Sequence, residues 1–235
     1  MPDSPVALVT GGSSGIGAAV ARQLLDRGYR VAVTGRDADR LERFANDSGA
    51  LPRLLTLPGH AADVDAVRAA VDATVAAFGR LDAAVANAGY ATHDGVTGGD
   101  PYGWADMILT NVLGPALLIR FAFPALKRTR GRIVLVGSLA GLIQTPDNLY
   151  GATKWAVTGL AANARLAVTG DGVGVTLVSP SATRTAFFDP AGGLPEGSED
   201  YLSADDLADA IVWALTRRDG VDVNEITVRP TGWPR

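Results

Sequence analysis

Short β-branched, apolar runs alternate along the chain with longer alanine-rich stretches whose apolar residues recur at helical spacing. The runs are Val6 to Thr10, Arg30 to Thr34, Arg53 to Leu57, Ala83 to Ala86, Arg132 to Val136, Gly174 to Val178 and Ile226 to Arg229. Most are apolar at successive rather than alternate positions, so both faces of each strand are buried, as in a parallel sheet covered by helices. The intervening stretches, Ile16 to Arg27, Ala38 to Asn46, Val64 to Phe78, Trp104 to Lys127, Tyr150 to Val168 and Ala204 to Thr216, are rich in good helix formers. Ser203 before Asp205 and Asp206 has the form of an N-cap with acids in the first turn, which assigns those charges to a helix end rather than to chemistry. The rhythm is that of repeated βαβ units, and it predicts an α/β fold: a doubly wound seven-stranded parallel sheet flanked by helices. No repeat, low-complexity tract or proline-rich linker divides the chain, so residues 1–235 read as a single domain. Two segments break the rhythm, Gly89 to Pro101 and Ala186 to Tyr201, the second rich in aromatics, prolines and glycines. Long irregular loops in a compact domain are functional or mobile. These two are expected to flank a substrate pocket, with a substrate loop over about 186–203.

Composition narrows the chemistry. The chain has 235 residues, no cysteine and a formal charge of −4 from 21 basic and 25 acidic residues. Zinc-thiolate sites, disulfides and a cysteine nucleophile are excluded. The mild acidity, with scattered arginines, argues against nucleic acid or an anionic membrane as main partner. No uninterrupted apolar run approaches the roughly 18 residues needed to cross a bilayer, and the start lacks the basic region of a secretory signal. A cytoplasmic location is expected. His60 and His93 show no triad or metal-ligand spacing and read as loop residues, so no metal site is expected. Of the basic residues only Lys127 and Lys154 are lysine.

Ligands of an open parallel sheet bind outside the carboxyl ends of its strands. After the first predicted strand comes Gly11-Gly12-Ser13-Ser14-Gly15-Ile16-Gly17; after the fourth, Asn87-Ala88-Gly89; after the fifth, Gly137-Ser138; after the sixth, Ser179-Pro180-Ser181. A glycine run at a strand-to-helix junction lets backbone N–H groups and the helix N-terminus approach a pyrophosphate, although glycine also serves an ordinary tight turn. About 20 positions on, an acid would hold an adenosine ribose 2′-hydroxyl. Gly35 and Arg36 stand there instead. A guanidinium suits a 2′-phosphate, so NADP(H) is expected ahead of NAD(H), which the neighbouring Asp37 keeps open.

Tyr150 and Lys154 are four residues apart at the start of a predicted helix, hence on one face. A free phenol has a pKa of about 10. Lowering it by roughly three units takes about 4 kcal/mol, on the order of what an ammonium about 4 Å away supplies. Ser138, at a strand end, adds a hydroxyl able to polarise a carbonyl.

Together, Thr10 to Gly17, Asn87-Ala88-Gly89, Ser138, Tyr150 with Lys154 and the Pro180 segment resemble the short-chain dehydrogenase/reductase family over essentially the whole chain. The resemblance implies a Rossmann fold and a catalytic group of Asn111, Ser138, Tyr150 and Lys154. Tyr150 would exchange a proton with the carbonyl or alcohol oxygen, and Ser138 would orient it. Lys154 would depress the pKa of Tyr150 and hold the nicotinamide ribose, while Asn111 would anchor a water leading to the lysine. Implied cofactor contacts are Gly11, Ser13, Ser14, Gly15, Ile16 and Gly17 around the pyrophosphate and nicotinamide, and Arg36 at the adenosine. Asp63 and Val64 would lie beside adenine, Asn87, Ala88 and Gly89 along the ribose, and Pro180 and Thr185 near the carboxamide. Tyr150 and Lys154 belong to that set too.

The expected activity is an NADP(H)-dependent interconversion of a small-molecule ketone or aldehyde with its alcohol. The alternatives are a dinucleotide-sensing protein without turnover and an isomerase or dehydratase of the same family. Three features depart from the family pattern: Pro180-Ser181 in place of Pro-Gly, a Ser138-to-Tyr150 spacing one residue short, and Ser14 where many NADP-preferring members have a base. The ending Val223 to Thr231 is similar to a branch with hydroxy acid and serine dehydrogenases and carbonyl reductases. Leu139, Leu142, Gln144, Asn148, Phe187, Phe188 and Tyr201 are the expected pocket residues, with Arg184 the candidate for a substrate carboxylate. Family members commonly form homotetramers or homodimers through the helices here read as Trp104 to Lys127 and Tyr150 to Val168.

Overall fold

The computed structural model describes residues 4–191, 193–194 and 201–232. In chain order the elements are β1 (Val6–Thr10), α1 (Gly15–Asp26), β2 (Arg30–Gly35), α2 (Ala38–Ser48), β3 (Leu54–Pro58), α3 (Val64–Phe78), β4 (Ala83–Ala86), α4 (Trp104–Ile108), α5 (Gly114–Thr129), β5 (Arg132–Val136), α6 (Leu149–Val168), β6 (Gly174–Pro180), α7 (Ala204–Leu215) and β7 (Glu225–Val228). The strands form one seven-stranded sheet in the order β3-β2-β1-β4-β5-β6-β7, parallel at every pairing. The predicted strands are all present, with β3 and β7 displaced by one residue and β6 running on to Pro180.

Every residue of β1 and of β6 is buried, which is why these runs are largely apolar, with Thr10, Thr176 and Ser179 their buried polar residues. Alternate residues serve opposite layers. Ala7 and Val9 pack with α1, α2 and α7 on one face, while Val6 and Leu8 pack with α3, α5 and α6 on the other. Each fully buried leucine in these layers contributes on the order of 1.5–3 kcal/mol of transfer free energy. The order in which successive strands are added reverses between β1 and β4, the switch point at which such sheets open a crevice.

The predicted helix from Trp104 to Lys127 is not uniform. A π-helical turn, Leu109–Leu113, separates α4 from α5 and turns Thr110 and Asn111 inward, both buried. Such turns favour functional sites. The helical run from Pro101 to Thr129 is, among the described residues, the one stretch long and apolar enough to cross a membrane by length and composition, a possibility the uninterrupted-run count passed over. Leu118, Ala122 and Leu126 lie fully buried against the sheet, so this apolar face serves the core. Ser203 caps α7 reciprocally with Asp206, as its sequence implied.

Candidate active site

The carboxyl ends of the strands border a cleft of about 770 Å³. At one end is the turn from β1 into α1. Gly11 and Gly15 have φ of +64° and +50°, a region closed to most side chains. A Cβ at Gly17 would lie 2.3 Å from the Gly11 carbonyl oxygen, so glycine there lets the helix sit against the turn. Ser14 is the N-cap of α1, but its side chain makes no capping hydrogen bond and the first turn holds no acid. The positive helix end is left open to the cleft, which Ser13, Ser14, Gly15 and Ile16 line. Gly17 and Asn111 support this wall without lining it. Asn87 fixes the floor by donating to the Thr10 and Gly11 carbonyls at 3.0 and 3.2 Å.

At the β2 end Arg36 and Arg40 join the lining. Arg36 lies 3.6 Å from Asp106, which also accepts from the Tyr90 hydroxyl at 2.7 Å and sits 3.2 Å from His60 Nε2; the Arg36 guanidinium lies over the Tyr90 ring. Sequence reasoning missed this group. His60 follows the end of β3, and applying the strand-end rule there finds it. Asp106 lies in α4, with no local signal. Asp63 and Val64 stand apart from the cleft: Asp63 is the N-cap of α3, accepting from Asp65 N and Ala66 N at 2.9 Å, and Gly59, His60 and Ala61 line the wall instead.

At the opposite end lie Ser138, Tyr150 and Lys154. Asn148 caps α6 by accepting from Gly151 N at 2.8 Å, which begins the helix one residue before Tyr150. Ser138 Oγ accepts from Ala140 N at 3.1 Å, and the Ser138 hydroxyl favours the ionised form of the Tyr150 phenol. Lys154 is buried, donates to the Val136 carbonyl at 2.9 Å and lies 5.6 Å from the centre of the Tyr150 ring. The sequence-based expectation of a depressed phenol is not met in the protein alone. Burial pushes Tyr150 up to about 12, with the Ser138 hydroxyl opposing it, and burial pulls Lys154 down to about 8. Loss of hydration penalises both charged forms.

Asn111 acts as a strut. Its amide donates to the Tyr90 carbonyl at 2.9 Å and to Thr153 Oγ1 at 3.0 Å, and its oxygen accepts from Tyr90 N at 3.0 Å. A Cβ at Gly89 would lie 3.0 Å from that oxygen, so glycine lets the strand end close on the amide.

Thr185 lines the cleft and touches the α1 turn, where a Cβ on Gly15 would lie 3.3 Å from its methyl. Pro180 is the last residue of β6, and Ser181 continues the pairing through its N–H to the Val228 carbonyl at 3.0 Å. Thr110 and Ser181 line the cleft, and their hydroxyls are buried without a hydrogen-bond partner among the described residues. Unpaired hydroxyls, an open helix N-terminus, a glycine cradle and two arginines at the far end fit an extended, phosphate-bearing ligand.

Of the expected pocket residues, Leu139, Asn148, Phe187 and Phe188 line the cleft, as does Ile143. Leu142, Gln144 and Tyr201 do not; Tyr201 packs behind Phe188 with ring centres 5.9 Å apart. The segment expected to form a substrate loop is anchored at its base, where Arg184 N donates to the Leu202 carbonyl at 2.8 Å. Its positions 192 and 195–200 lie outside the described residues. His93 is more than a loop residue: its Nε2 lies 2.8 Å from the Phe187 carbonyl oxygen and its ring meets Phe187 edge-on.

A doubly wound parallel sheet with a glycine turn at its switch point and a serine, tyrosine and lysine at the other end of the same cleft defines a nucleotide-dependent α/β oxidoreductase. The chain belongs to the short chain dehydrogenase family, whose profile matches residues 5–192. It is 33% identical over 231 residues to an uncharacterised oxidoreductase of Staphylococcus epidermidis, covering 96% of each chain. Among solved structures it resembles an alcohol dehydrogenase from the archaeon Thermococcus sibiricus complexed with 5-hydroxy-NADP, at a TM-score of 0.89 and 27% identity over 99% of both chains. It also resembles the closed form of a serine dehydrogenase complexed with NADP+, at a TM-score of 0.90 and 27% identity, covering 98% of this chain and 96% of the other.

Proposed function

We propose that the protein is an NADP(H)-dependent reductase of a ketone or aldehyde, reversible as an alcohol dehydrogenase. The observation that carries this reading is that Ser138, Tyr150 and Lys154, the lysine 5.6 Å from the centre of the Tyr150 ring, line one end of a cleft whose other end holds Arg36 and Arg40. The turn from Ser13 to Ile16 would hold the pyrophosphate, Arg36 and Arg40 the 2′-phosphate, Asn87 to Gly89 the ribose, and Thr185 the carboxamide. The NADP-bound states of the two solved structures named above support this choice. A bound reduced nicotinamide would supply the hydride.

The protein supplies the proton and the geometry. With a pKa raised to about 12, Tyr150 holds its proton at neutral pH and is the acid for reduction, delivering it to the substrate oxygen. Ser138 donates to the same oxygen and fixes its position. Lys154, positively charged below about pH 8, favours the phenolate that Tyr150 becomes. Asn111 holds the Tyr90 backbone and Thr153, one residue from the lysine. Half-exposed Leu109, Leu113 and Trp155, with Leu166 more exposed still, support assembly as a homotetramer or homodimer.

The test is a screen of carbonyls and alcohols followed at the nicotinamide absorbance, with NADPH and NADH in parallel. Tyr150→Phe abolishes turnover and leaves NADPH affinity nearly intact. Undiminished activity in that variant sinks the proton-transfer role, and tight NADPH binding without turnover of any compound favours a sensor.

A further inference from the structure

The cleft is electrostatically divided. Its charged lining residues Arg36, Asp37 and Arg40, with His60, gather at the β2 and β3 end. At the end of the cleft that holds Tyr150 the described lining includes Leu139, Ile143, Phe187 and Phe188, with Ser138, Thr145 and Asn148 as neutral polar groups. The exception is Lys154, and its ammonium is buried and donates to the Val136 carbonyl. Arg184, the sequence candidate for a substrate carboxylate, is exposed, outside the cleft lining, and acts electrostatically on Asp206 of α7. Among the described residues the cation at this end is the buried ammonium of Lys154, already bonded to the Val136 carbonyl, so a carboxylate carried to Tyr150 would lose its hydration without a cation free to pair with it, a costly transfer.

The apolar wall has a definite shape. Phe187 meets the Tyr150 ring at 5.4 Å and 62°, and Phe188 meets Phe187 at 5.2 Å and 80°. His93 holds this wall through its contact with the Phe187 carbonyl and its edge-on ring. Aromatic edges and faces at these spacings receive a flat ring well.

Resting on the reductase reading, we infer that the substrate is a neutral carbonyl compound bearing an aromatic or similarly flat apolar group, and that keto acids are excluded. The inference separates this chain from the hydroxy acid and serine dehydrogenases that its C-terminal sequence resembles.

The test compares ethyl benzoylformate with benzoylformate, and ethyl pyruvate with pyruvate, at saturating NADPH. The aryl ester is expected to exceed its acid by about 100-fold or more in kcat/KM. Phe187→Ala lowers the kcat/KM of ethyl benzoylformate by about tenfold more than that of ethyl pyruvate, since only the former uses the ring wall. Ile143→Arg places a cation at the wall and narrows the ester-to-acid ratio by about tenfold. If the acids are reduced as well as the esters, the substrate class is wrong while the reductase reading stands. If NADPH binds but neither these compounds nor any in the wider screen turns over in either direction, the reductase reading itself falls and the substrate class with it.

Discussion

Replacing Gly17 by alanine sets helix propensity against packing. In an isolated helix the change stabilises by up to about 1 kcal/mol. Here the new methyl would lie 2.3 Å from the Gly11 carbonyl oxygen and 2.5 Å from Asn87 Nδ2. Ordinary contact needs roughly 3.5 Å, so α1 must retreat from the turn by about 1 Å. Overpacking of this kind costs about 1–3 kcal/mol. The movement also strains the Asn87 hydrogen bonds to Thr10 and Gly11, each contributing about 1 kcal/mol. The net expectation is a loss of about 2 kcal/mol, which lowers Tm by roughly 4–8 °C for a chain of this size. NADPH affinity falls as well, because the retreating helix end is the proposed pyrophosphate site. Gly159→Ala is the control: Gly159 is exposed within α6, and a Cβ there meets nothing within 4 Å. That variant should gain about 1 kcal/mol and melt some 2–4 °C higher. Thermal unfolding and an NADPH fluorescence titration measure both quantities. A Gly17→Ala protein that melts at or above the wild-type temperature and binds NADPH undiminished would refute the packing argument.

Two further tests address charge. Arg36→Ala should weaken NADPH at least about tenfold more than NADH, since it removes a charge-assisted phosphate contact; equal losses contradict the assignment. Asp106→Asn should tighten NADPH about two- to fivefold with little change for NADH. The half-exposed pair at 3.6 Å contributes only about 0.2–1 kcal/mol, and its removal frees the guanidinium for phosphate; weakened NADPH binding in Asp106→Asn would instead make the carboxylate a positioning group for Arg36. Lys154 gives a pH signature in the nucleotide-free protein. Its folded pKa of about 8 lies below the model-compound value of 10.5, so between those values the unfolded chain binds more protons and stability rises with pH. Lys154→Met lacks this term, so its melting temperature relative to wild type should decline from pH 7 to pH 10; a constant or growing difference contradicts the buried ammonium.

The elements and their order were legible because they rest on short-range patterns. Continuous β-branched runs mark strands buried on both faces, and the Gly11 to Gly17 spacing marks a strand-to-helix turn. Tyr150 and Lys154 share a helical face at any i, i+4 spacing, wherever the helix lies. The π-turn was not legible. Asn111 is a mediocre helix residue in sequence, and only the backbone of Tyr90, 21 positions away, shows what it holds.

Other assignments turned on which side chains the packing brings together. Asp63 is acidic and follows β3, but its side chain caps α3 and the cleft is lined by residues just before it. Arg36 was identified from its place after β2, whereas its partner Asp106 comes from α4. The expected lowering of the Tyr150 phenol used a distance of one helical turn and ordinary screening. In the fold both groups lose their hydration, and that penalty sets the direction of both shifts.

By itself, then, the sequence determined the sheet, the glycine turn and the serine, tyrosine and lysine, because each depends on spacing within one element or one junction. Only the tertiary structure decided that Phe187 and Phe188 wall the cleft beside Tyr150, that Arg184 lies outside it, and that the charged lining gathers at the opposite end. Those features depend on how loops from distant parts of the chain close over one strand edge, and no local periodicity encodes that closure.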